Sequence, residues 1–166
     1  MFRVLLLVLR TRGRLRAGGG ARAGRGARVD VARGGAVAIG RGAVLGAGTR
    51  MHVGPGAAVT IGPGARLGDR CVVAAHERID VGADAALGDE VVLVDFDCAI
   101  DDVERPIRLQ GLRTAPVVVA PGAALDAHAA VLRGVTVGAG ARVGVRAVVT
   151  RDVPPGAVVA GVPARA

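Results

Sequence analysis

Few side chains in this sequence can move a proton or attack a carbon near neutral pH. There are three histidines, His52, His76 and His128, and two cysteines, Cys71 and Cys98. Imidazole titrates unperturbed in that range, so a histidine is the natural general base for a hydroxyl or an amine. A thiol, with a pKa of about 8.5, is a poor base there and a nucleophile only when ionised. Five carboxylates crowd into ten residues: Asp95, Asp97, Asp101, Asp102 and Glu104. Such a cluster orients an acceptor, holds a hard cation through oxygen ligands, or is neutralised by neighbouring cations. Arg105, Arg108 and Arg113 stand close enough to pair with it, and the glycine-pivoted spacing of a calcium loop is missing. With the histidines 24 and 52 residues apart and no CxxC pair, zinc ligation is not indicated either. No metal is expected.

The elements that must position these groups are aliphatic. Half of the 166 residues are hydrophobic (51%), yet aromatics are 1%, so Ala, Val and Leu have to fill the core. The length suits one domain. No apolar run approaches the 18 residues of a membrane-spanning helix, and the two cysteines make no disulfide framework. The apolar run near the N-terminus is too short for a secretory signal. The expected compartment is the cytoplasm.

The net charge of +8 divides unevenly. Residues 1–28 hold eight Arg and no acid, whereas residues 29–166 hold fourteen Arg against fourteen Asp and Glu. With no aromatics to stack on bases and one Gln in total, the chain lacks the apparatus of a nucleic-acid reader.

Internal repetition decides the fold. Aliphatic residues recur every six positions: Ile39, Leu45 and Met51; Ile61, Leu67, Val73 and Ile79; Val81, Leu87 and Leu93; then Val119, Leu125, Val131, Val137, Val143 and Val149. Four residues after most of them stands something small, such as Ala43, Thr49, Ala65, Cys71, Ala85, Ala123, Ala129, Ala141 or Ala147. Neither a helical period nor plain alternation produces this. One short strand and one sharp turn per six residues do, and three such units close a triangle. Coils of 18 residues are then expected to stack at the parallel-strand spacing of about 4.8 Å. The spacing predicts an all-β parallel β-helix over residues 29–166. Two extra residues disturb the period near Met51 to Val53, and two more at Ile79-Asp80. A loop over 99–116 is inserted, and an insertion of that length usually has a function.

The segment from Ala115 to Ala166, ending VVTRDVPPGAVVAGVPARA, resembles the C-terminal half of the hexapeptide-repeat acyltransferases, of the maltose, galactoside and xenobiotic O-acetyltransferase type. The preceding VDFDCAIDDVERPIRLQGLRTAP is similar to their active-site segment and loop. The resemblance implies a left-handed parallel β-helix, a homotrimer with sites between subunits, and acetyl-CoA as acyl donor. A histidine then takes the proton from the acceptor hydroxyl. By motif position, Ala127 and Val145 would offer backbone contacts to the pantetheine arm, and Thr150 and Arg151 would lie near the nucleotide. Arg suits a phosphate because it is always charged and bonds bidentately.

At the base itself the sequence departs from that pattern. Relatives commonly read DFDH where this chain has Asp95, Phe96, Asp97 and Cys98; others carry the histidine at the position of Phe96. Cys98 therefore occupies the usual catalytic histidine position. Loss of a general base costs roughly 10²–10⁴-fold in rate. Stacking the coils puts His76 one rung below Phe96, about 4.8 Å away, where it is either a surface histidine or the replacement base. Asp95 and Asp97 complete the candidate catalytic set. The acceptor is a small molecule, a sugar being one candidate. The alternative is a catalytically silent β-helix trimer serving as scaffold or binding protein.

Residues 1–28 have their own readings. Phe2, Leu5, Leu6 and Leu9 fall on one helical face, which predicts a capping helix over the open end of the prism. Contact with an anionic membrane surface and a disordered tail are the competing readings.

Overall fold

The structure, a computed structural model, describes residues 13–166. The helix expected around Phe2 to Leu9 lies outside the described residues. Between 13 and 166 the only helical element is a 3-10 turn at Ile107–Leu109; all else regular is strand.

Three parallel sheets form the faces of a prism. The first face stacks Leu15–Ala17, Ala36–Ile39, Ala58–Ile61, Arg78–Val81, Val117–Val119 and Thr136–Val137 in chain order. The second runs from Arg22–Ala23 through five further strands to Val158–Val159, and the third from Arg28–Val31 to Val148–Val149. Every strand of these three faces pairs with its counterparts one coil away, which is the parallel β-helix that the six-residue period predicts.

The hexad aliphatics and their small partners fill the interior. Leu45, Met51, Ile61, Val73, Leu93, Val131 and Val149 are buried, and so are the corner residues Ala43, Ala65, Cys71, Ala129 and Ala147. Burial pushes the Cys71 thiol pKa up, and its Sγ donates to the carbonyl of Gly88 at 3.2 Å. It is a packing residue.

Two expectations change. The coils are not uniformly of 18 residues: Leu15 pairs with Val37 and Val37 with Val59, coils of 22, then Val59 with Ile79, a coil of 20. Only beyond the insertion, where Val118 pairs with Thr136, does the repeat shorten to 18. The extra residues come in pairs that lengthen strands on the first and third faces. Because side chains alternate with a period of two, a pair adds one inward and one outward residue and preserves the core; Met51 and Val53 are both buried, as are Ile79 and Val81. Second, the winding already includes Leu15–Ala17, ahead of residue 29. The hexad is hard to see there because most interior positions before Val37 hold Ala or Gly.

Among the described residues, no helix is long and apolar enough to cross a membrane.

Candidate active site

The corner joining the third face to the first builds the site. In the lower coils this corner is a four-residue turn closed by its own backbone, with the amide of Gly35 donating to Ala32 and that of Ala57 to Gly54. One coil higher it shrinks to His76 and Glu77, too few residues for the same bond. The missing acceptor comes from the next rung. Asp95 is fully buried, and its Oδ1 and Oδ2 accept the backbone N–H groups of His76 at 2.7 Å and Glu77 at 2.8 Å. Both carboxylate oxygens are thus committed to the turn that presents His76. Asp95, expected among the catalytic residues, faces inward and holds backbone.

The His76 ring lies half-buried between two neighbours. Its centroid is 4.4 Å from that of Phe96, edge to face, and 5.9 Å from that of His52. The one-rung stacking under Phe96 is as expected. The His52 contact was not legible, because the added residue pairs moved His52 into register with Ala74, whose small side chain leaves the space above it open. Gly54 makes the pocket for the ring: a Cβ there would stand 2.8 Å from His76 Nδ1. No real Cβ comes so close.

At Phe96 the chain leaves the prism. Phe96–Cys98 pairs antiparallel with Leu112–Thr114, so the insertion is a hairpin that begins three residues before the expected loop at 99–116. Its tip is ordered by the Gln110 carboxamide, which donates to the carbonyls of Asp102 and Arg105, each at 2.7 Å, and accepts from the Asp102 amide. Asp101 pairs with Arg113. The acid cluster is therefore dispersed: one carboxylate buried, one paired with Arg, and Asp97 accepting the Cys98 amide at 2.8 Å. Cys98 is exposed on this hairpin, opposite Leu112.

An open cleft of about 440 Å³ runs beside the hairpin, lined by Val94, Phe96, Asp97, Leu132, Arg133 and Thr150. It brings together Asp97 and Thr150 from the predicted set, adds Arg133, and has exposed Arg151 next in sequence to Thr150. His76 lies behind Phe96 and does not line it.

Ala127 and Val145 sit at a different corner, between the second and third faces. There two aspartates satisfy turn amides from the coil above: Asp69 Oδ1 accepts the Ala47 amide at 2.7 Å, and Asp89 Oδ1 that of Asp69 at 2.8 Å. The next two rungs are Ala127 and Val145, which have no side-chain acceptor. The ladder stops at Asp89, and the N–H groups of Asp89, Ala127 and Val145 find no acceptor among the described residues, as is true of Ala83 and Ala139 at the corner between the first and second faces. Beside them run Arg70, Glu90, His128 and Arg146, all with positive φ (56°, 59°, 62° and 57°). Arg70 binds Glu90 at 2.8 Å, and His128 Nδ1 lies 3.2 Å from the same carboxylate. The hydrogen bond from Arg70 holds the Glu90 carboxyl below its usual pKa. The cleft and the open amides thus stand on opposite edges of the third face.

No protein-family model matches the chain. In sequence it is 34% identical over 106 residues to a probable acetyltransferase of Mycobacterium tuberculosis, an alignment spanning 60% of this chain and 35% of that protein. The chain thus spans about a third of that relative's length. Among solved structures, a hexapeptide-repeat acetyltransferase of Vibrio cholerae, in complex with acetyl-CoA, superposes with a TM-score of 0.68 at 22% identity, covering 80% of this chain and 69% of that one. PerB of Caulobacter crescentus, solved with CoA and GDP-perosamine, gives a TM-score of 0.56 at 24% identity over 91% of this chain and 56% of that one. The chain is thus similar in sequence to a probable acetyltransferase and in fold to a hexapeptide-repeat acetyltransferase.

Proposed function

We propose that the protein is an acyltransferase moving an acetyl group from acetyl-CoA to a hydroxyl or amine of a small acceptor, a sugar or sugar nucleotide. The observation that carries this reading is the interrupted amide ladder. The turn N–H groups of Ala47 and Asp69 are each used by an aspartate of the coil above; those of Asp89, Ala127 and Val145, in the three successive coils that follow, have no acceptor among the described residues. The amide carbonyls of an extended pantetheine arm are suitable acceptors for such donors. Arg151 then serves the nucleotide phosphates.

The separation of these amides from the cleft by the width of one face supports a homotrimer, in which the cleft of one subunit closes on the open corner of the next. The hairpin supports it too: Ile100, Val103, Ile107, Leu109 and Leu112 are exposed apolar residues on an ordered excursion. The reaction belongs in the cytoplasm, where acetyl-CoA is made and used.

In this reading His76 is the base. Its imidazole takes the acceptor proton while the acceptor oxygen or nitrogen attacks the thioester carbonyl, and the tetrahedral intermediate expels CoA as thiolate. Asp95 and Gly54 fix the ring; Asp97 and Arg133 orient the acceptor. Phe96 between the ring and the cleft must turn aside for this. That obstruction favours a second reading, a β-helix that binds CoA without turning it over, with Cys98 standing where the base is lost.

Thiol release from acetyl-CoA with a panel of sugars and sugar nucleotides separates the two. The first reading expects turnover by the natural sequence and its loss by roughly 10²–10⁴-fold in His76→Ala. No turnover by the natural sequence, with CoA bound and a gain of about 10²-fold in Cys98→His, establishes the second. Unchanged rates in His76→Ala remove His76 from the mechanism.

A further inference from the structure

The charge of the prism is divided along its axis. Residues 13–68, the lower coils, hold nine Arg and a single acid, Asp30; residues 69–166 hold ten Arg and thirteen acids. Eight of the nine, Arg16, Arg22, Arg25, Arg28, Arg33, Arg41, Arg50 and Arg66, are exposed, while Arg14 is half-buried and donates to the Val31 carbonyl at 3.0 Å. Among the described residues none of the nine forms an ion pair, and every ion pair lies at or above Arg70.

The distribution is a girdle and not a stripe. Arg16 is on the first face, Arg22 and Arg66 on the second with Val44 between them, and Arg28 and Arg50 are register neighbours on the third. Arg25, Arg33 and Arg41 occupy the three corners. Like charges directly opposite each other in a sheet are destabilising, so stability alone does not account for the Arg28–Arg50 pair. A partner carrying negative charge does.

We propose that this basic end docks the protein on the surface of an anionic lipid bilayer. A charge girdle around all three faces of one end presents the prism end-on to a plane, whereas a single-stranded polymer is bound along one groove lined with aromatics. The described part of this end has no aromatic residue at all. Immediately before it, the first nine residues MFRVLLLVL are apolar at every position except Arg3, and Arg10, Arg12, Arg14 and Arg16 follow. An apolar segment plus a polybasic patch is the two-signal combination that stable surface attachment requires. The cleft and the open amides are on the upper coils and stay free when the lower end is occupied.

The test is co-sedimentation of the full chain with phosphatidylcholine vesicles, with and without about 30% phosphatidylserine, at about 0.1 M salt. Binding is expected to be at least tenfold tighter to the anionic vesicles and to weaken steeply with salt. Arg28→Gln with Arg50→Gln should weaken it roughly tenfold or more, at about fivefold per Arg. Arg142→Gln with Arg165→Gln, at the opposite end, should change it less than about twofold. Circular dichroism checks that both variants keep the fold. Equal binding to neutral vesicles, equal loss in both double variants, or equal or tighter binding to a single-stranded RNA at the same salt would overturn the proposal.

Discussion

The lower and upper coils share one core and differ in how they spend their backbone. At the corner between the second and third faces the lowest coils use glycine in the left-handed position, at Gly26 and Gly48, and aspartates occupy the amides of Ala47 and Asp69. Higher up, the same corner carries Arg70, Glu90, His128 and Arg146 in left-handed conformations that cost a residue with a Cβ about 1–2 kcal/mol, and the amides of Asp89, Ala127 and Val145 have no acceptor among the described residues. The neighbouring corner changes in the same direction, from self-closed turns to the two-residue corner at His76, which only Asp95 makes tenable. In a repetitive fold, a site is made where the repeat gives up its own satisfaction.

The sharpest way to break that comparison is at Asp95. Asp95→Ala orphans two backbone N–H groups at about 1–3 kcal/mol each, so a drop of several kcal/mol in denaturant-derived stability is expected, against little change for a solvent-facing carboxylate such as Asp84. Next is Gly54→Ala, which drives the His76 ring from its place and should cost about 1–3 kcal/mol as an overpacking substitution. The same change at Gly42, where a Cβ meets nothing, isolates the strain of its positive φ. Ala127→Asp extends the aspartate ladder by one rung. It should weaken CoA binding about tenfold or more, in calorimetric titration, by introducing a carboxylate beside a phosphorylated ligand, while leaving the melting temperature unchanged or slightly raised. The smallest effect belongs to Glu90. Its pKa is depressed in the fold, so its contribution is present above the ordinary carboxylate range and is lost as pH falls through the depressed value. The group is exposed, so Glu90→Gln should shift the melting temperature barely at neutral pH and not at all in acid.

The described architecture was legible almost in full from one feature, the six-residue recurrence of a large aliphatic with a small residue four places on. Burial has a strict period in a stacked prism, and the core residues named from spacing are the buried ones. Less legible was the length of each coil: pairs of residues added to a strand preserve inside and outside, so they leave the aliphatic rhythm intact while moving the register. That is why spacing alone leaves His52 apart from His76; the strands before residue 29 are hidden instead by the Ala and Gly at their interior positions. For the site, Phe96 over His76 followed from stacking alone. The inward turn of Asp95 did not, since its sequence neighbours Asp97 and Asp101 are chemically identical and differ only in what lies one coil away.

By itself, then, the sequence determined the prism, its core and the place of the excursion, because periodic burial is a property of the chain read in order. Only the tertiary structure decided which carboxylate holds a turn, which ring lies on which glycine, which amides are left without a partner, and how the arginines encircle one end. Those facts depend on residues about twenty positions apart being brought to one strand spacing, and the register that does so is set by the whole stack.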